Sequence, residues 1–257
     1  MGADLIVFAG VGFLAQLIDG ALGMAYGIVS TTVLLGLGVL PAHASASVHA
    51  AEIFTTAASG ASHVWHHNVD WRLVRVLAPA GILGGILGTY VLTGIDGTWI
   101  KPIITGYLAL MGGFIIFKAV RVFPDRPVSG RLVMPLGAAG GFVDAVGGGG
   151  WGPVVSSSLI GSGGRPRLVI GSVNAVEFLV TLSVTATFFV ALTTGHWADA
   201  GALGEHAVAV TGLVVGGVIA APLAGYVLKI APARVLTGAV GILIVALAMY
   251  QTWTLVT

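Results

Sequence analysis

Residues 12–56 recur at 137–181 without a gap, and 14 of the 45 paired positions are identical. Composition alone would give about a tenth. The matches include Asp19 with Asp144, Gly23 with Gly148, Gly27 with Gly152, Pro41 with Pro166, Glu52 with Glu177 and Thr56 with Thr181. Further on, Thr105-Gly106 matches Thr237-Gly238, and "TYVL" at 89 resembles "GYVL" at 225. Such a chain builds one unit twice. Each copy also carries the same oddity, written most plainly as "DAVGGGGWGP" at 144–153: an acid, glycines and a proline within an apolar run.

The medium follows from composition. Hydrophobic residues make up 56% and charged residues 8%, against about 25% charged in a soluble domain. The expectation is an all-α polytopic membrane protein. Without cysteine there are no disulfides, thiolate metal sites or cysteine nucleophiles, and a net charge of +1 gives no sign of nucleic acid as partner. The opening "MGADLIVFAGVGF" reads as a first membrane segment, since it lacks a basic n-region and a clear cleavage site.

Each copy predicts two short apolar pieces around its break (4–18 and 24–39; 132–146 and 151–162). Three longer helices follow, near 43–64, 73–93 and 100–120, then 167–193, 205–228 and 234–254. A 15-residue piece rises about 22 Å, short of the roughly 30 Å hydrocarbon core. The pieces therefore form a re-entrant hairpin, or one broken spanning helix. If both pairs re-enter, the repeats are inverted and ten of the eleven basic residues fall on one side: Arg72, Arg75, Lys118, Arg121, Arg126, Arg131, Arg165, Arg167, Lys229 and Arg234, leaving Lys101 opposite. Single broken helices split them six to five. The positive-inside rule favours inversion, with that loop-rich side cytoplasmic. Two short but complete crossings per pair would give the same sides. The expected organisation is a first repeat at 1–120, a cytoplasmic linker at 121–131 and a second repeat at 132–257.

Inverted repeats with broken helices are a transporter architecture, with the site where the half-helices meet. Broken backbone is tolerated at membrane depth only against protein or a watery cavity. Gly149, Gly150, Trp151 and Gly152 would present free N–H groups at the start of a half-helix, an anion site; Tyr26 and Gly27 are their counterparts in the first copy. On the next helix His49, Glu52 and Thr56 share one face, and Asn174, Glu177 and Thr181 repeat it. His49 and Asn174 are expected near substrate. Asp19, Glu52, Asp144 and Glu177 are intramembrane acids, costly to bury and hence functional candidates. As proton carriers they would couple transport; as structural groups they would cap a half-helix or bond across helices.

The pattern at 137–166, its echo at 12–41 and the Asn174–Glu177 stretch resemble the TauE/SafE sulfite-exporter family, also called the toluene-sulfonate uptake permease group. The resemblance spans both repeats. It implies a bacterial or archaeal inner-membrane carrier of small sulfur anions such as sulfite, sulfonates like sulfoacetate, or thiosulfate. The expected partners are that anion, protons and the bilayer, with a homodimer allowed and no cofactor. The first copy departs from the glycine run with Met24 and Ala25. An anion channel or a metal-ion carrier is the alternative; "HVWHHN" (His63, His66, His67) carries the metal idea. An enzyme is not expected: Asp19 and Asp144 offer an intramembrane protease a symmetric acid pair, but the Gly-x-Gly-Asp order is absent and the duplicated glycine breaks go unexplained.

Overall fold

The computed structural model describes residues 2–120, 130–197, 207–223 and 233–256, and within them every element is helical. The helices are α1 (Gly2–Leu22), α2 (Tyr26–Gly36), α3 (Pro41–Trp65), α4 (Trp71–Thr93), α5 (Gly97–Val120) and α6 (Gly130–Gly147). Next comes α7, a π-helical turn (Gly152–Ser156) running into a regular one (Ser157–Gly161), then α8 (Pro166–Thr193), α9 (Ala207–Ala220) and α10 (Ala233–Val256). Pro41 and Pro166 open α3 and α8, where the missing N–H costs nothing. Asp70 caps α4 by accepting from the Arg72 N–H at 2.9 Å. Among the described residues four stretches are long and apolar enough to cross a bilayer: α4, α5, α8 and Thr237–Thr254 of α10.

The first arms of the two pairs are longer than the sequence pattern indicates. Helix α1 runs 21 residues and α6 runs 18, about 31 and 27 Å. An acid near a run of glycines reads as a stop. Here Asp19 and Asp144 lie inside the last turns, and their side chains reach forward over the break.

The packing is reciprocal. Helix α1 lies along α9, and α6 along α4; α3 lies along α8, and α5 along α10. Glycines permit backbone contact in the first two pairs. A Cβ on Gly212 would lie 2.6 Å from that of Phe8, and one on Gly88 would lie 2.5 Å from the Phe142 carbonyl. Gly216 abuts the Ala9 carbonyl, as Gly141 abuts that of Gly81. Contacts advance together along α1 and α9, and along α6 and α4, so these pairs are parallel. By contrast α5 and α10 run antiparallel, with Thr105 against Gln251 and Gly112 against Ile244. So do α3 and α8, with Asn68 beside Gly171 just past one end and His43 against Trp197 at the other.

These contacts define two ends. The lower one gathers the start of α3, the turn from α4 to α5, and Trp197 after α8. Here α2 finishes, beside Gln251, and α1 begins, Leu5 against the first turns of α9. The upper end holds the turn from α3 to α4 and the starts of α6 and α8. Helix α7 finishes there, five residues before α8. Each broken pair thus enters and leaves by one end, α1–α2 from below and α6–α7 from above. Arg72, Arg75, Arg131, Arg165, Arg167 and Arg234 sit at helix starts of the upper end. Arg121, Arg126, Lys229 and most of the 121–131 linker lie outside the described residues.

Candidate functional site

The two breaks meet in the middle of the bundle, backbone against backbone. Gly149 fits against Gly27 and the Ile28 amide with no room for a Cβ, and Gly148, at φ 62°, accepts a hydrogen bond from the Thr31 hydroxyl. Gly152 faces Met24 across the same junction, its Cβ position 2.6 Å from the Met24 Cα. Ser156 donates to the Gly23 carbonyl at 3.0 Å. Ala25 holds φ 122°, a region residues with a Cβ rarely occupy and one that stores strain.

Each half-helix is capped by its own acid. The Oδ1 of Asp144 accepts the N–H groups of Gly150 (2.7 Å) and Trp151 (2.9 Å), and the Asp144 carbonyl accepts that of Gly149 (3.1 Å). Asp19 accepts from Tyr26 at 3.4 Å. The structural reading of the aspartates therefore describes their geometry. The three amides expected to receive an anion are engaged by the chain's own oxygens.

Asp144 has a second partner. Its Oδ2 lies 3.2 Å from Nε2 of His49, and both side chains are buried. His49 Nδ1 is 2.8 Å from the Ser45 carbonyl, an acceptor only, so that nitrogen carries a hydrogen. The Nε2–Oδ2 contact then holds one further proton, on the imidazole or on the carboxyl.

At the junction lies a cavity of about 10 Å³, room for about one water. Gly27, Glu52, Asp144, Gly149, Gly150, Gly152 and Glu177 line it, with Ala25, Ile28 and Pro153. Glu52 and Glu177 come from the two antiparallel helices α3 and α8, and the Oε2 of each is buried without a hydrogen-bond partner. The structure thus brings together seven of the residues singled out in the sequence and sets five apart. Trp151 is fully buried, its indole N–H donating to the Val173 carbonyl at 3.2 Å and its ring against Gly81. Tyr26 is turned the same way, donating to the Leu213 carbonyl at 3.0 Å and packing on Gly217. Asn174 joins α8 to α3 by accepting from Ser59 at 2.8 Å, while its amide donates to the Ile170 carbonyl. His49 meets the cavity through Asp144, and Asp19 does not line it but accepts from the Tyr26 amide at the start of α2.

Two comparisons decide what kind of protein carries this geometry. The family model for the sulfite exporter TauE/SafE matches residues 8–253. A protein described as "Probable membrane transporter protein YtnM" from Bacillus subtilis (strain 168) is 42% identical over 259 residues, covering 97% of this chain and 84% of that protein. The chain belongs to the TauE/SafE family. No solved structure gives a significant match.

In this TauE/SafE protein several side chains at the junction carried no sequence signal. Tyr107 of α5 donates to the Gly149 carbonyl at 3.3 Å and fills the space beside Gly150 and Gly147. Ser45 donates to the Ala145 carbonyl at 2.6 Å. About three turns further along α5, away from the junction, Lys118 points inward, its Nζ 3.0 Å from the Ser157 hydroxyl. Their partners lie 39 to 100 residues away in sequence, so no local pattern marks them. His66 sits at the end of α3, with Nδ1 2.8 Å from the Ser62 carbonyl. Among the described residues no three His, Asp or Glu side chains are grouped to hold a metal ion.

Proposed function

We propose that this TauE/SafE protein is a secondary transporter of a small sulfur-containing anion (sulfite, a sulfonate such as sulfoacetate, or thiosulfate) coupled to protons through Glu52 and Glu177. The carrying observation is that these two acids, one from each half of the chain, share the central cavity and each keep one unpartnered buried oxygen. An anion entering beside two carboxylates would be repelled by both. Protons on the glutamates remove that repulsion and turn the carboxyls into donors. Loading the anion and loading protons then become one event.

Alternating access operates between the two halves, 1–120 and 132–257, joined by the linker at 121–131. Antiparallel packing of α3 on α8 and of α5 on α10 supports reading them as inverted repeats, with a two-fold axis across the bundle. The chain sits in the cytoplasmic membrane of a bacterium or archaeon with the upper end inside, which the arginines at that end support. A cavity with room for about one water has to open for any sulfur oxyanion, and the junction to part is that between Gly149 and Gly27. The amides of Gly149, Gly150 and Trp151 are then donors for the anion only as Asp144 withdraws, and His49 is placed to receive its carboxylate.

Reconstitution into proteoliposomes tests this reading. Saturable uptake and counterflow of sulfite, sulfoacetate or thiosulfate, accelerated by a pH gradient, is the expected result. Uptake of none of the three overturns the substrate class, non-saturable flux without counterflow points to a channel, and uptake indifferent to the gradient removes proton coupling.

A further inference from the structure

A lysine two residues from the end of a membrane helix ordinarily runs its stem outward and sets its ammonium in the headgroup region. Lys118 does the reverse. It lies in the last turn of α5, yet its Nζ is turned onto α7 and the first break, 3.0 Å from the Ser157 hydroxyl and 3.9 Å from the Met24 sulfur. Both partners are buried. Neither carries charge, and no carboxylate among the described residues pairs with Lys118. An ammonium has three donors; one meets a hydroxyl and one a thioether, a weak acceptor. Turning a cation inward without a counter-charge is costly, and an anion arriving at that point would supply what is missing.

Position along α5 ties this point to the central cavity. Tyr107, Met111, Phe114 and Lys118 fall at i, i+4, i+7 and i+11, one face of the helix. Tyr107 touches Gly149 and Gly150 at the cavity, and Lys118 touches Ser157, seven residues further along the same half-helix. Along α5 these two contact points lie about 16 Å apart, one near the upper end of the bundle and one at the junction. Among the described residues the other half shows no such inward-turned cation. By the Thr105-Gly106 and Thr237-Gly238 match, Tyr250 stands where Lys118 does. There α2 is held by a neutral amide, the Gln251 Nε2 donating to the Thr32 carbonyl at 2.7 Å.

Resting on the transporter reading, we propose that Lys118, with the Ser157 hydroxyl, is the first binding point for the substrate oxyanion at the upper mouth, and that the lower mouth lacks its equivalent. As a binding residue at one mouth only, Lys118 makes the two access routes unequal in charge. Lys118→Gln, Lys118→Arg and the parent protein are compared in vesicles of known orientation, with sulfite offered from each side, alongside calorimetry of sulfite binding in detergent. Lys118→Gln is expected to raise the KM for sulfite at the upper mouth about tenfold or more, the loss of one charge-assisted hydrogen bond. The KM from the lower side should move less than about threefold, and Lys118→Arg should recover most of the loss. Equal changes from both sides, or unchanged KM and binding in Lys118→Gln, overturn the proposal while leaving the transporter reading intact. A parent protein that binds and carries no sulfur oxyanion overturns both.

Discussion

His49 and Asp144 form a buried pair across 95 residues of sequence, Nε2 to Oδ2 at 3.2 Å. The pair joins α3 of one half to the break of the other, and the same carboxylate caps α7 through Gly150 and Trp151. One side chain therefore links a helix start, a shared proton and the cavity wall.

Removing one member of that pair should cost more than removing both charges. His49→Ala leaves a buried carboxylate with only its two amides, and the expected loss is about 3 kcal/mol. Combining it with Asp144→Asn should return part of that loss, because the orphaned charge is gone. Thermal unfolding of the four proteins in one detergent gives the coupling energy. Additive losses would mean that the pair carries no net interaction.

Glu177→Gln and Glu52→Gln should slow net anion uptake more than counterflow exchange. Exchange never requires the empty carrier to return with its protons, whereas net movement does. Uptake is measured in vesicles across a range of external pH. Normal pH-dependent net uptake in both variants would make the acids structural.

Gly150→Ala tests what fills the space at the glycine run. The added Cβ would lie 2.5 Å from the Tyr107 hydroxyl and 3.0 Å from Val143, an overpacking that costs about 1–3 kcal/mol. Tyr107→Phe in the same protein removes the closest atom and should restore most of the stability. Gly113→Ala, with nothing within 4 Å of its Cβ position, should be close to neutral. Failure of Tyr107→Phe to rescue would place the strain in the backbone.

Ala25→Gly relieves a residue held at φ 122°. The strain released, set against the extra freedom of glycine when unfolded, leaves a gain of about 1 kcal/mol. A lower unfolding midpoint than the parent's would contradict it.

The orientation is checked most simply by labelling, since the chain has no cysteine of its own. His66→Cys at the upper end should react only with reagent delivered from the cytoplasmic side, and Ile95→Cys at the lower end only from outside. Reaction of both from one side would defeat the inverted arrangement.

Helices α3, α4 and α8 were legible from their apolar lengths and begin within two residues of where the pattern put them; Pro41, Asp70 and Pro166 are the local chemistry that sets those starts. Glu52 and Glu177 stood out because the same acid recurs at matching positions of the two copies, and the structure sets both on the wall of one cavity. What escaped was direction. Tyr26 and Trp151 flank the breaks in sequence, yet their rings lie over Gly217 and Gly81 on neighbouring helices. Periodicity says which residues share a face of one helix; it does not say which way a side chain turns where the helix has ended. Lys118 is the converse case, a charge counted by its distance from a helix end whose stem turns inward.

The small volume at the junction has an electrical meaning. Two interrupted helices in the middle of a membrane protein leave polar backbone at the depth where a bilayer insulates best, and a continuous file of waters there would conduct protons. Room for about one water is too little for a hydrogen-bonded chain to form through the centre. The backbone contact of Gly149 with Gly27 and Ile28 thus acts as a dielectric plug, holding off the membrane potential at the depth where Glu52 and Glu177 meet.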